Sequence, residues 1–361
     1  LMIVVILYLL DKSSHKKNNG ILPIESVSLS HNVFNVLVVC VFSWFFFQTI
    51  FLATQIKPGI APDELHHINV AHFYSDLKTI FIQDSPLTYQ YGALSTYPYL
   101  YQLLIGKMLL LNFLDLPAFL FLRFINLIIS YVSLYVTWLF VKEITKNKLI
   151  QLSILIVQTN ILMYVFLSAM VTYDNLINLM SILSFLILFK FLRTFERKYL
   201  VQLFLTMVVG ALIKVSYLPI ILIQGIVLLF YFKKLLGKRI EYLKQKVSVS
   251  EVFYLVLFLI FLSLNLKLYV NNILSYQDLY PSREKVLGYE ASYNNSESFA
   301  EYMDLKATAN QRVILGLPVF VKKYTRRIEK TTFGIMGHQN RYRGDRDLMF
   351  YNILIGICLL G

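Results

Sequence analysis

Two carboxylates and three histidines crowd the stretch APDELHHINVAHFY, residues 61–74, directly behind a long apolar run. Ionisable side chains are costly beside lipid, so a cluster at the mouth of an apolar segment needs a reason. Asp63 and His67 are spaced i, i+4, which on a helix places both on one face. A carboxylate oriented by a neighbouring imidazole is the arrangement of a general base. The structural alternative is written in the same residues. Pro62 followed by Asp63 and Glu64 reads as a helix amino-terminus, where acids offset unsatisfied amides and the helix dipole. His66 and His72 lack the i, i+4 spacing of a metal pair, and there is no HExxH, so zinc is not expected. No cofactor is expected, and nothing indicates a divalent metal.

Four further positions join this cluster as candidates. Asp174, in VTYDNLINLM, opens an apolar run, either as a helix cap or as a site acid. Arg123, in FLRFINLI, lies a few residues inside another run, where it snorkels to headgroups or meets a phosphate. Lys214, in ALIKVSYLP, falls between two closely connected runs, and lysine is a good point-charge partner for phosphate. TTFGIMGH, ending at His338, carries two glycines spaced three apart, which permit close backbone approach. Acids beside bases at one interface suit a phosphorylated lipid and a hydroxyl acceptor. A transporter would more often place such groups near the midplane of its spans.

What must position these residues is a set of membrane helices. The chain has 361 residues, 57% of them hydrophobic, and a mean hydropathy of +0.61. That composition, in repeated apolar runs, predicts an all-α, polytopic transmembrane bundle. The net charge of +13 sits largely in short connections, so topology explains it and nucleic acid is not expected. Cys40 and Cys358 lie in apolar runs as small hydrophobes.

Apolar runs lie near 34–56, 97–114, 117–141, 149–168, 175–192, 199–215, 217–232, 251–270 and 348–361. The basic connections KEITKNK, RTFERK and KKLLGKRIEYLKQK are expected on the cytoplasmic side. All three land there only if 97–114 is an interfacial helix and not a span, with Tyr97, Pro98, Tyr99, Tyr101 and Gln102 as its wet end. The outer segments are then about 57–116 and 271–347. Residues 1–33 form a cytoplasmic amino-terminal segment and 34–361 a single membrane domain. Both ends look cut: the chain opens on LMIVVILYLL, too short to span, and closes inside a fresh apolar run.

Six short motifs in order, PDELHH, YPY, RFIN, TYDNL, KVSYLP and FGIMGH, make the chain similar to polyprenyl-phosphate-sugar glycosyltransferases of the GT-C superfamily. It resembles still more the bacterial membrane-protein family catalogued as domain of unknown function 2142, with its PDExxHF, YPP, RLxN, NPDAL, KPxYLP and FGxxGW. The match runs from Pro62 to His338. It departs at Tyr99 (for the second proline of YPP), at Thr172-Tyr173 (for Asn-Pro) and at His338 (for the final aromatic). The resemblance implies a GT-C-like bundle in the plasma membrane with its active site on the extracytoplasmic face. It also implies a polyprenyl-phosphate-linked sugar donor and a surface-glycan acceptor. Asp63 or Glu64 matches the family's catalytic acid, with His67 beside it, and Tyr97, Arg123, Asp174, Lys214, Tyr217 and His338 fall in motifs expected to bind substrate. A single base predicts inversion at the anomeric carbon. The rival expectations are a lipid-linked glycan polymerase or ligase, and a transporter or flippase of the same lipids.

Overall fold

The computed structural model describes residues 30–231, 247–295, 300, 303–304, 317–329, 335–336 and 341–342. Their regular elements are helices apart from two short strands, β1 (Ile335–Met336) and β2 (Arg341–Tyr342), paired antiparallel with Ile335 opposite Tyr342. The helices are α1 (His31–Gln55), α2 (Glu64–Asp76), α3 (Leu100–Leu109), α4 (Ala118–Ile144), α5 (Lys148–Asn160), α6 (Leu162–Ser168) and α7 (Tyr173–Thr194). They continue as α8 (Arg197–Ile213), α9 (Leu218–Phe230), α10 (Val249–Tyr276), α11 (Arg283–Leu287), α12 (Tyr289–Asn294) and α13 (Leu317–Glu329).

Four of these, α1, α4, α7 and α10, are long and apolar enough to cross a membrane. The pair α5 and α6, bent by 68°, makes a fifth if read as one broken span. Helix α10 starts in a capping box between Ser248 and Glu251 and then turns Leu255, Val256, Leu259 and Leu266 outward. Helix α1 likewise exposes Val36, Val39, Phe47 and Phe51. Large apolar side chains on the outer surface of a long helix fit hydrocarbon and not water.

Ion pairs and side-chain bonds identify the two ends of the bundle. At one end Arg193 meets Glu143 at 3.0 Å, joining the carboxyl ends of α7 and α4. Beside it Arg197 meets Glu251 at 3.1 Å, joining the amino ends of α8 and α10. At the other end Arg123 of α4 reaches the last turn of α1, Lys214 reaches Asp174 in the first turn of α7, and Asn272 of α10 donates to the Thr96 carbonyl. Helices α4 and α7 therefore run in the same direction, and the bent pair α5–α6 returns the chain between them. Helix α8, only 17 residues long, still joins both ends, since a helix rises ~1.5 Å per residue.

The segment between α1 and α4 holds no helix long enough to cross a membrane. It folds back at the site end as α2 and α3, which pack so tightly that a Cβ on Gly106 would lie 2.7 Å from the Ala71 carbonyl oxygen. The expected wet end of this helix needs correction, because Tyr99, Tyr101 and Gln102 are buried. The Tyr101 hydroxyl donates to Asn126 Oδ1 of α4 at 2.9 Å. A phenol satisfied by protein needs no water.

Candidate functional site

Glu64 and Arg123 are both fully buried and face each other in a forked pair. Arg123 donates through Nε to Oε1 and through Nη2 to Oε2, both at 2.7 Å. The remaining guanidinium hydrogens go to the carbonyls of Ala53, Ile56 and Lys57. The carboxylate also accepts from the amides of Gly59 and Val171, each at 3.2 Å. Every donor of the arginine is used, and each oxygen accepts twice. The expectations for both residues are thereby corrected. Glu64 has no lone pair facing a substrate and is no base, and Arg123 neither snorkels nor has a hydrogen left for a phosphate. Together they lock the end of α1 and the starts of α2 and α7 onto α4.

Asp63, one residue earlier, is the opposite case. It precedes α2 in the left-handed region (φ 57°, ψ 9°) and its side chain caps nothing. Among the described residues its exposed carboxylate makes no hydrogen bond or ion pair. The expected side-chain link to His67 is not made either: the His67 amide donates to the Asp63 carbonyl at 2.9 Å, but the carboxylate is exposed while the imidazole is buried. His67 is buried against the rings of Tyr173 (4.6 Å) and Tyr101 (5.7 Å), and its Nδ1 has no partner. Burial, then the charges of His66 and Lys214, push its pKa down to about 3. It is a neutral wall of the site and does not orient Asp63. The histidine in the field of Asp63 is His66. Burial lowers its pKa, Asp63 opposes that shift and Arg283 adds to it.

On the far side of the histidines, Lys214 Nζ lies 2.7 Å from Asp174 Oδ1 with both side chains part-exposed. It also sits 4.0 Å from the centre of the Tyr173 ring. Thr172 is the residue that caps α7, accepting from the Asp174 amide. The carboxylate of Asp174 is therefore free to hold the lysine, and the cap reading for it does not stand. Lys214, Asp174 and Asp63 all bear electrostatically on the Tyr173 phenol, so three charged groups from α7, the start of α2 and the end of α8 share one neighbourhood.

Tyr97 stacks on Tyr280 with ring centres 5.0 Å apart. Gly92, at φ +94°, lies beneath the Tyr97 ring, where a Cβ would come within 3.2 Å. Tyr217 is different. It is buried against Gly210, whose Cβ would fall 2.2 Å from its ring, and it donates to the Met180 carbonyl at 3.2 Å. That phenol holds α7 to α8 and does not bind substrate, which corrects its expected role. His338 lies outside the described residues. Sequence reasoning passed over His66, Tyr173, Tyr280 and Arg283. The adjacent histidine pair was a usable signal for the first, whereas Arg283 stands in a polar stretch with no motif around it.

Among the described residues no three His, Cys, Asp or Glu side chains gather as a metal site. No family model, no curated protein and no solved structure matches the chain. Its function has to be inferred from the site's own chemistry.

Proposed function

We propose that the chain is a multi-pass membrane glycosyltransferase that moves a sugar from a polyprenyl-phosphate donor to a surface-glycan acceptor. The observation that carries this reading is an unpaired carboxylate, Asp63, at the same end of the helix bundle as the Asp174–Lys214 pair and bearing with it on the Tyr173 phenol. The connections KEITKNK and RTFERK lie at the other end, where Glu143, Arg193 and Arg197 meet their partners. Short basic loops favour the cytoplasm, which turns the site toward the extracytoplasmic face of the plasma membrane.

In this mechanism Asp63 takes the proton of the acceptor hydroxyl as its oxygen attacks the anomeric carbon. The bond from that carbon to the phosphate oxygen breaks, and the polyprenyl phosphate leaves with the electron pair. Lys214 offsets the charge that develops on it. Phosphate is a stable anion, so no separate acid is required, and one attack from the face opposite the lipid inverts the anomeric centre. Tyr280, the exposed ring of the Tyr97–Tyr280 stack, offers an aromatic surface for the sugar ring.

The test is transfer of label from radiolabelled polyprenyl-phosphate sugars into polymer by membranes holding wild-type or Asp63→Asn protein. Asparagine tolerates the left-handed backbone, so the variant should insert normally while transfer falls by about 100- to 10,000-fold. Wild-type transfer by Asp63→Asn would remove Asp63 as the base. Movement of labelled lipid across vesicles, with no new glycosidic bond, would replace the enzyme by a flippase.

A further inference from the structure

The segment that follows α10 is fastened over the first outer segment at several points. Asn272 donates to the carbonyls of Thr96 (2.9 Å) and Leu279 (3.0 Å). Tyr280 stacks on Tyr97, and Arg283 Nη2 donates to the Tyr89 carbonyl and, at 3.1 Å, to that of Asn295. These bonds carry the Arg283 guanidinium into the space around His66 and Tyr97, both of which lie in its field.

The charge of Arg283 is not balanced there. Among the described residues it meets only carbonyl oxygens and no carboxylate, and its Nε is buried without a hydrogen-bond partner. The contrast with the other two cations of this end is direct: Arg123 is neutralised by Glu64 and Lys214 by Asp174. A partly buried cation without a carboxylate partner is a site for an anion, because an anionic ligand there would restore the charge balance.

We propose that Arg283 is the phosphate anchor of this site, its guanidinium charge holding the phosphate ester of the lipid. This rests on the glycosyltransferase reading for its choice of ligand, but its test reads binding and not transfer. Purified full-length protein in phosphatidylcholine nanodiscs is titrated with polyprenyl monophosphate, and separately with inorganic phosphate as competitor. Arg283→Gln should weaken polyprenyl phosphate binding by about tenfold or more, the usual worth of a charge-assisted hydrogen bond. Arg283→Lys, which keeps the charge but loses the Nη2 that donates to both carbonyls, should recover most of that loss.

Wild-type affinity in Arg283→Gln overturns the proposal. Equal loss in Arg283→Lys and Arg283→Gln also overturns it, since the arginine would then serve only to fasten the segment. Competition by inorganic phosphate assigns the site to phosphate in general, and displacement by the lipid alone assigns it to the headgroup. Binding that depends on Arg283 in a protein that transfers no sugar would keep the anchor and discard the glycosyltransferase.

Discussion

Two acid–base pairs lie at the same end of this bundle and do opposite work. Glu64–Arg123 has both side chains at 0% exposure, while Asp174–Lys214 has them at 35% and 28%, with the same 2.7 Å separation. The first pair is surrounded by backbone donors and acceptors that fill every remaining site on both groups. The second borders an aromatic ring and open space. Distance alone does not separate a structural lock from a working pair. The number of unfilled hydrogen-bonding positions does.

The comparison is broken most violently at the lock. Arg123→Ala leaves the Glu64 carboxylate buried and unpaired, and should cost about 3–5 kcal/mol. Thermal unfolding in detergent, or loss of folded protein from membranes, would report it. Replacing both members by methionine should recover much of that loss, and a double variant no more stable than Arg123→Ala would show that the pair does more than neutralise itself.

A smaller effect comes from His67, at the wall between the two pairs. Its folded pKa, pushed down to about 3, lies below the ~6.5 of an unfolded histidine. Between those values the unfolded chain binds a proton that the folded protein refuses, so stability is full above pH ~6.5 and falls as pH drops toward 3. The slope approaches about 1.4 kcal/mol per pH unit. His67→Gln should flatten melting curves recorded from pH 7 to 5, and an unchanged slope would mean that the imidazole is hydrated. His66, whose pKa is also lowered, adds in the same direction and would keep a residual slope.

The smallest stability change should come at the working pair. Lys214→Met removes a part-exposed ion pair and should alter unfolding by no more than about 1 kcal/mol. Sugar transfer should nevertheless fall by about 100-fold, since the departing phosphate loses its countercharge. A Lys214→Met protein that melts like wild type and transfers like wild type would reduce the pair to surface decoration.

The helices were legible because long apolar runs and the basic loops between them are local signals. The shared direction of α4 and α7 agrees with the loop charges when the short helix in 97–114 is not counted as a span. Partnerships across the chain were not legible. Glu64 and Arg123 are 59 positions apart, and nothing local says that an acid beside Asp63 is consumed by an arginine on another helix. The left-handed turn at Asp63 is equally hidden, as is the packing of His67 between Tyr101 and Tyr173, away from that carboxylate. Arg283 escaped notice because its place depends on Asn272 and Tyr280 folding the following chain back over Tyr97.

That left-handed turn also governs how a mutational scan of position 63 would look. Glycine and asparagine fit the backbone there, whereas valine, isoleucine and most others would strain it. A survey scored only by survival would rank replacements by backbone fit and mistake that ranking for a chemical requirement. Only the exchange of a carboxylate for its isosteric amide holds conformation fixed while the proton acceptor is removed.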